Sequence, residues 1–281
     1  MTPEAAAAVP LAFCAAAAYG ASDFLGGWLS KRASPWAVAF MSQATAALGT
    51  LVIAAFGTLA VQRGELGWAL LAGLGNGAGN VLIYRGLGRG RMAVVAPIAA
   101  IVSALVPVLA GVLGGERPLI AAWAGMLLSL PAIWLVAGGG RLRDVRLQEV
   151  RDGLLAGLGF GIQFSALGQI GPASGLAPLA LSQVVSVAAI AGAAALQKAP
   201  WVPRERPAQL GALAGILAGA ATLLFQLAAQ TGQLAVAGVV ASLYPAGTIL
   251  LAALFLRERI SARQGLGLAL AGAAVALIAS G

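Results

Sequence analysis

Apolar runs of about twenty residues follow one another along the whole chain, separated by short polar breaks. A helix crossing a hydrocarbon layer of about 30 Å needs about 20 such residues. The pattern predicts ten spans, at roughly 8–30, 35–61, 66–86, 92–114, 118–138, 153–171, 175–197, 208–230, 235–256 and 261–280. The longest polar break, "RLRDVRLQEVRD" at 141–152, divides the spans into two sets of five, within residues 1–140 and 141–281. A shorter one, "KAPWVPRERP" at 198–207, separates spans seven and eight. No break is long enough to hold a soluble domain.

Composition strengthens this reading. Of 281 residues, 60% are hydrophobic and only 9% charged, against about 25% charged in a soluble domain. Mean hydropathy is +0.93. The class is an all-α integral membrane protein in contact with lipid. The formal charge of +8 does not imply a nucleic-acid partner, because the basic residues cluster between apolar runs, where membrane proteins keep them. With no His and one Cys, imidazole metal sites, a Ser/His/Asp triad, cysteine clusters and an internal disulfide are excluded. No catalytic set, metal or cofactor is expected, so the chain does not read as an enzyme. Cys14 reads as a packing residue. "LAFC" at 11–14 lacks a preceding Lys or Arg, which argues against a lipoprotein box or a cleaved leader.

The two sets of spans resemble each other. Residues 92–117, "MAVVAPIAAIVSALVPVLAGVLGGER", align without a gap with 234–259, "LAVAGVVASLYPAGTILLAALFLRER", at an offset of 142. That offset brings Glu116-Arg117 onto Glu258-Arg259, Gly73 onto Gly215, Gly77 onto Gly219 and Gly90 onto Gly232. Span two matches span seven at an offset of 140, "ASPWAVAFMSQ" (33–43) against "ASGLAPLALSQ" (173–183). Five is odd, so the second set must cross in the opposite sense. An inverted repeat is common among secondary transporters, whose two halves exchange conformations around a midplane site.

Ten spans, two repeats of five and a Glu-Arg pair entering the last span of each repeat resemble the drug/metabolite transporter superfamily, and within it the EamA family. The resemblance is sharpest at "GGERP" (114–118) and "LRERIS" (256–261) and covers nearly the whole chain. It implies export of small metabolites, with amino-acid exporters a prominent group. It also implies a central cavity lined mainly by spans one, three, four, six, eight and nine.

Loop charge predicts orientation. The loops after spans one, three, five, seven and nine carry 15 of the 17 Lys and Arg residues; only Arg63 and Arg117 lie elsewhere. The positive-inside rule makes those loops cytoplasmic, in an inner or plasma membrane, with both termini outside. Relatives drawn with cytoplasmic termini disagree with this count.

Polar groups within spans are costly unless they face a partner or a wet cavity. Asn76, Asn80 and Tyr84 lie four apart on one face of span three, and Thr222, Gln226 and Gln230 do the same on span eight. At the 142 offset Asn80 falls on Thr222 and Tyr84 on Gln226. These stripes, with Gln163 on span six, Ser242 and Tyr244 on span nine and Tyr19 on span one, are the candidate substrate contacts. Gln169 and Thr248 are further candidates. Ser42-Gln43 and Ser182-Gln183 form a matched pair that reads as substrate contact or as glue between helices. Pro97, Pro107 and Pro245 are expected to kink spans four and nine, since proline removes a donor and clashes with the preceding turn. "GLGNGAGN" at 73–80 lacks the strand that a phosphate loop needs; the four-residue spacing of Gly73/Gly77 and of Gly211/Gly215/Gly219 suits close helix approach. Trp28, Trp36 and Trp201 suit an interfacial belt beside the basic loops.

Asp23 is the one charge between Pro10 and Leu29. It precedes Lys31 by eight residues, about 12 Å of helix, which places it in the cytoplasmic half of span one, where a structural or gate role stands beside substrate binding or proton coupling. Ser22, Lys31 and Arg32 could satisfy it. At an offset of 141 the second half has Phe164 in its place and Gln163 in place of Ser22. The expected function is export of small metabolites, amino acids foremost, by alternating access, by a monomer or weak homodimer. Alternatives are a proton-coupled or facilitative exporter of cationic drugs, which would use Asp23, and a lipid-intermediate flippase or non-transporting membrane partner.

Overall fold

The computed structural model describes residues 3–56, 62–88, 92–136, 147–231, 233–255 and 260–280. Among the described residues every regular element is helical. The first half supplies α1 (Pro3–Ser30), α2 (Pro35–Ala55), α3 (Arg63–Gly88), α4 (Met92–Leu113) and α5 (Ile120–Val136). The second supplies α6 (Leu147–Leu167), α7 (Ala177–Leu196), the single turn α8 (Arg206–Gln209) leading into α9 (Gly211–Ala229), then α10 (Leu234–Ala241), α11 (Tyr244–Phe255) and α12 (Ala262–Ser280).

Among the described residues six stretches are long and apolar enough to cross a membrane: Ala7–Ser30, Pro35–Ala55, Arg63–Ile83, Ala177–Leu196, Arg206–Ala229 and Leu234–Phe255. Ile98–Leu113, Ile120–Leu135 and Ala262–Leu277 are shorter apolar helices. α6 carries Arg151 and Asp152 near its start, which lowers its hydropathy. The protein is therefore a multi-pass membrane protein. Its outside agrees: Leu48, Leu109, Leu127, Ile216 and Leu254 are exposed, while the interior is built largely of alanine. In lipid an apolar exterior carries no penalty, so small residues are reserved for close helix contact.

Proline and glycine set several element ends. Pro35 and Pro178 open α2 and α7, where a missing N–H has no intrahelical acceptor to lose. α4 closes with Gly115 at φ +98°, the left-handed turn that ends many helices. α10 and α11 break at Ser242–Leu243, just before Pro245. α4 behaves differently. It continues through Pro97 and Pro107, and the Pro107 ring rests on Gly238, where an added Cβ would collide with it. Span four, expected to be interrupted, is one continuous helix through both prolines. The side chain of Pro97 lies outside the described residues.

The two halves interleave. α1 packs on α9, α2 on α7 and α9, α3 on α6 and α7, α4 on α6 and α10, and α5 on α12. Exchanging the repeats turns α1–α9 into α6–α3, and α2–α9 into α7–α3; α2–α7 and α5–α12 map onto themselves. Every one of these pairings joins the two halves, so the packing keeps the symmetry that the offsets announced. It is also visible at single residues. A Cβ at Gly73 would collide with the Ser182 carbonyl, and one at Gly215 with the Ser42 carbonyl. These are the same contact seen twice, once from each repeat. Gly73→Val and Gly215→Val are each expected to cost about 1–3 kcal/mol through overpacking, while Gly49→Val, with nothing within 4 Å, stays within about 0.5 kcal/mol. Thermal midpoints in detergent check this.

The loops gather at two ends. At the basic end Ser34 Oγ donates to the Pro200 carbonyl (2.6 Å), the Phe40 and Trp201 rings meet edge-on at 4.7 Å, and Arg32 lies 4.1 Å above the Trp28 ring. At the opposite end Gly171 N donates to Glu65 (2.9 Å), Gln62 N to Ser174 (3.4 Å), and Gln230 Nε2 to the Ile170 carbonyl (3.2 Å). Glu116 joins this end, accepting from Leu234 N and Ala235 N at 2.7 and 2.9 Å. Burial pushes its carboxyl above the usual carboxylate range, and the two N–H bonds act against that rise. Glu258 and Arg259, its repeat partners with Arg117, lie outside the described residues.

Candidate substrate cavity

Helical spacing sets the walls. On α1, Tyr19, Ser22 and Asp23 share one face; on α6, Phe160, Gln163 and Phe164 do the same. α3 adds Asn76 and Asn80, α9 adds Ala218 and Thr222, α2 adds Gln43, and Tyr244 opens α11. Together they line a cavity of about 40 Å³, room for a few waters at about 10–15 Å³ each.

Ten of these twelve residues form five repeat pairs. At an offset of 141, Tyr19 falls on Phe160, Ser22 on Gln163 and Asp23 on Phe164; at 142, Asn76 falls on Ala218 and Asn80 on Thr222. The cavity therefore lies where equivalent faces of the two halves meet. The positions are symmetric and the chemistry is not. The first half presents a phenol, a hydroxyl, a carboxylate and two amides. The second presents two phenyl rings, one amide, a methyl group and a threonine.

Asp23 is the only charged residue among those described at the cavity. It is half-buried and makes no hydrogen bond or ion pair among the described residues. The partners expected from sequence do not serve it. Ser22 Oγ donates to the Ala214 carbonyl (2.9 Å), Arg32 stacks on Trp28, and Lys31 is exposed beyond the end of α1. Asp23 turns inward with Tyr19, one turn away, while the two basic residues follow the chain out.

The amides are partly committed. Asn76 Nδ2 donates to Gln43 Oε1 (3.0 Å) and to Gln183 Oε1 (3.2 Å). Asn80 Nδ2 donates to Asn76 Oδ1 (2.6 Å) and to the Asn76 carbonyl (2.9 Å). Ser186 Oγ donates to Gln43 Oε1 at 3.4 Å. The repeat-matched glutamines thus converge on one asparagine that has no polar counterpart, and Gln43 both joins helices and lines the cavity. Tyr19 OH donates to Thr222 Oγ1 (3.0 Å), which itself donates to the Ala218 carbonyl (2.8 Å). The Tyr19 ring lies 5.8 Å from Phe164, and Phe164 lies 4.4 Å from Phe225. The Tyr244 hydroxyl is buried with no partner among the described residues.

Of the candidates from sequence, Tyr19, Asp23, Asn76, Asn80, Gln163, Thr222 and Tyr244 come together here. Gln226 and Ser242 do not. Gln226 is buried further along α9, and Ser242 Oγ lies 3.1 Å from Ser103 Oγ. Gln169 is exposed at the loop after α6, and Thr248 Oγ1 donates to the Gly20 carbonyl (3.1 Å). The side chain of Tyr84 lies outside the described residues. α4, expected among the walls, contributes no described lining residue, and α2 contributes Gln43. Sequence reading passed over Phe160 as a site residue; applying the 141 offset to Tyr19 would have found it.

A family model described as the EamA-like transporter family matches residues 6–138 and 153–280, one copy on each half. A solved structure described only as "Crystal structure of protein" shares the fold, with a TM-score of 0.78, 17% sequence identity, and coverage of 96% of this chain and 95% of the other. No curated protein matches the chain.

Proposed function

The chain belongs to the EamA-like transporter family, and from that premise we propose that it exports small metabolites, amino acids of broad selectivity foremost, by alternating access at the central cavity. The family supports membrane transport of small molecules. The observation that carries the finer reading is Asp23, an unpaired carboxylate on one wall of a cavity whose opposite wall bears Phe160 and Phe164. A carboxylate in a low-dielectric site favours a cationic partner. The ammonium of an amino acid sits against Asp23 and the Tyr19 and Tyr244 hydroxyls. The amide of Gln163 takes its carboxylate, both Asn80 N–H groups being spent on Asn76, and the phenyl rings take its side chain. Ring contact discriminates weakly among apolar side chains, which suits broad selectivity.

In this reading ten spans form an inverted repeat, and residues 1–140 rock against 141–281 around the cavity. A cavity of about 40 Å³ is contracted, so substrate entry requires that motion. The basic loops face the cytoplasm of a cell with this protein in its inner or plasma membrane. A second reading, proton-coupled export of cationic drugs, is favoured by the same residue, since one unpaired carboxylate can exchange a proton for a cation.

Counterflow of labelled amino acids into proteoliposomes tests the first reading. Uptake well above protein-free vesicles is expected. Movement of cationic dyes or sugars with no amino acid moving would overturn the substrate assignment.

A further inference from the structure

We propose that the end opposite the basic loops is closed by a gate in which Glu116 is the latch and Gln226 is a substrate-contacting group hidden behind it. This rests on the transport reading above and adds an exit path to it.

The latch is built from the α4 terminus. Gly115, at φ +98°, reverses the chain so that Glu116 N donates to the Gly111 carbonyl (2.9 Å). Its carboxylate folds back over Gly111, where an added Cβ would lie 2.6 Å from a carboxylate oxygen. From there both oxygens accept the N–H groups of Leu234 and Ala235. Those N–H groups open α10, have no intrahelical acceptor and carry partial positive charge. A carboxylate from the first half therefore holds the start of a helix from the second by two charge-assisted bonds. Glu65 makes a similar bond across the halves to Gly171 N at the same end.

The hidden group lies behind the latch. Gln226 stands one turn beyond the cavity residue Thr222, and one turn before Gln230, whose amide binds the Ile170 carbonyl at the loop end. It is thus midway along a path of about 12 Å from cavity to loop. It is 1% exposed, and neither amide atom has a partner among the described residues. Its helix neighbours Phe225, Ala228 and Ala229 belong to a dry cluster with Ala12 and Ala15 of α1 and with α10. Burying an unpaired amide is costly, and most buried polar groups in proteins have a partner. The cost is removed in a form where α10 leaves α1 and α9, exposing an amide that offers both a donor and an acceptor. A departing zwitterion carries the complementary pair, an ammonium and a carboxylate. The latch favours the closed form and the orphaned amide favours the open one, so the two hold the gate near balance.

The test uses the full chain with Cys14→Ser and a reporter, Ala228→Cys, in the dry cluster. A membrane-impermeant maleimide is added from the side of the Glu116 loop. Glu116→Gln and Gly111→Ala, the second of which displaces the carboxylate without removing it, are each expected to raise the labelling rate about tenfold. Gln226→Met is expected to lower it several-fold, to slow counterflow about tenfold, and to leave the thermal midpoint equal or higher. Unchanged labelling in both latch variants, or wild-type counterflow in Gln226→Met, overturns the proposal. Labelling reads the gate whether or not any amino acid moves, so failure of the gate and failure of the transport reading give different results.

Discussion

Asp23→Asn is expected to lower counterflow of an amine-bearing substrate about a hundredfold while leaving the folded protein intact. Removing one member of a buried, hydrogen-bonded charge pair costs about 2–5 kcal/mol of binding, and a hundredfold loss lies inside that range. Asparagine keeps the shape and loses the charge, so the effect isolates electrostatics. The folded state has little to lose, because Asp23 makes no hydrogen bond or ion pair among the described residues. An unpaired charge facing a small cavity is itself a cost, so the thermal midpoint should stay level or rise. Counterflow and melting are measured on the same preparation. Transport at the wild-type rate would show that the charge takes no part in the mechanism. Loss of pH-gradient dependence alone, with uncharged substrates moving normally, would assign Asp23 to proton coupling and favour the cationic-drug reading.

The second large effect falls on stability. Asn76→Leu is expected to cost about 2–4 kcal/mol. Three side-chain bonds go with the amide: those to Gln43 and Gln183, and the one accepted from Asn80. Interhelical hydrogen bonds in membranes average about 0.6 kcal/mol, which sets the lower bound. The stranded Gln183 carbonyl adds a desolvation penalty of about 1–3 kcal/mol when no water reaches it; Asn80 keeps its bond to the Asn76 backbone carbonyl and adds less, and the neighbouring cavity limits both parts. A loss of this size lowers the thermal midpoint by about 4–16 °C in a chain of this length class. Gln183→Leu removes one of the three bonds and should cost less than half as much. Equal effects from the two substitutions would show that Asn76 is not the shared node.

Much of the cavity was legible beforehand, for a definite reason. Hydrocarbon makes each polar side chain in a span conspicuous, and helical spacing sorts such residues onto faces. Asn76 with Asn80, and Tyr19 with Asp23, were readable as pairs on those grounds alone. The repeat offsets then related Asn80 to Thr222 and Ser22 to Gln163 without coordinates. The aromatic half of the cavity was harder to see. Phe160 and Phe164 have the same spacing as Tyr19 and Asp23, yet phenyl rings in an apolar span look like any other packing residue.

Gln226 shows where spacing fails. It lies four residues from Thr222 on one stripe, and a stripe runs the length of its helix, whereas a cavity occupies only part of that length. Thr222 faces Tyr19 across the cavity; Gln226, one turn on, is 1% exposed beside helix neighbours of the apolar cluster. Glu116 shows a different failure. In sequence it was half of a Glu-Arg pair marking a repeat. Its carboxylate caps a helix that begins 118 residues later, and no local pattern encodes an acceptor at that separation.

The sequence by itself determined the helical membrane class, the two repeats and the polar positions open to use, because each is written in composition, period or offset. Tertiary structure decided which of those positions share a cavity, which amides are already spent on each other, and why Asp23 was left without a partner. Those choices depend on how far each helix slides along its neighbours, and that is set by contacts such as Gly73 on Ser182 and Gly215 on Ser42, where one missing methyl group decides how closely two backbones can approach.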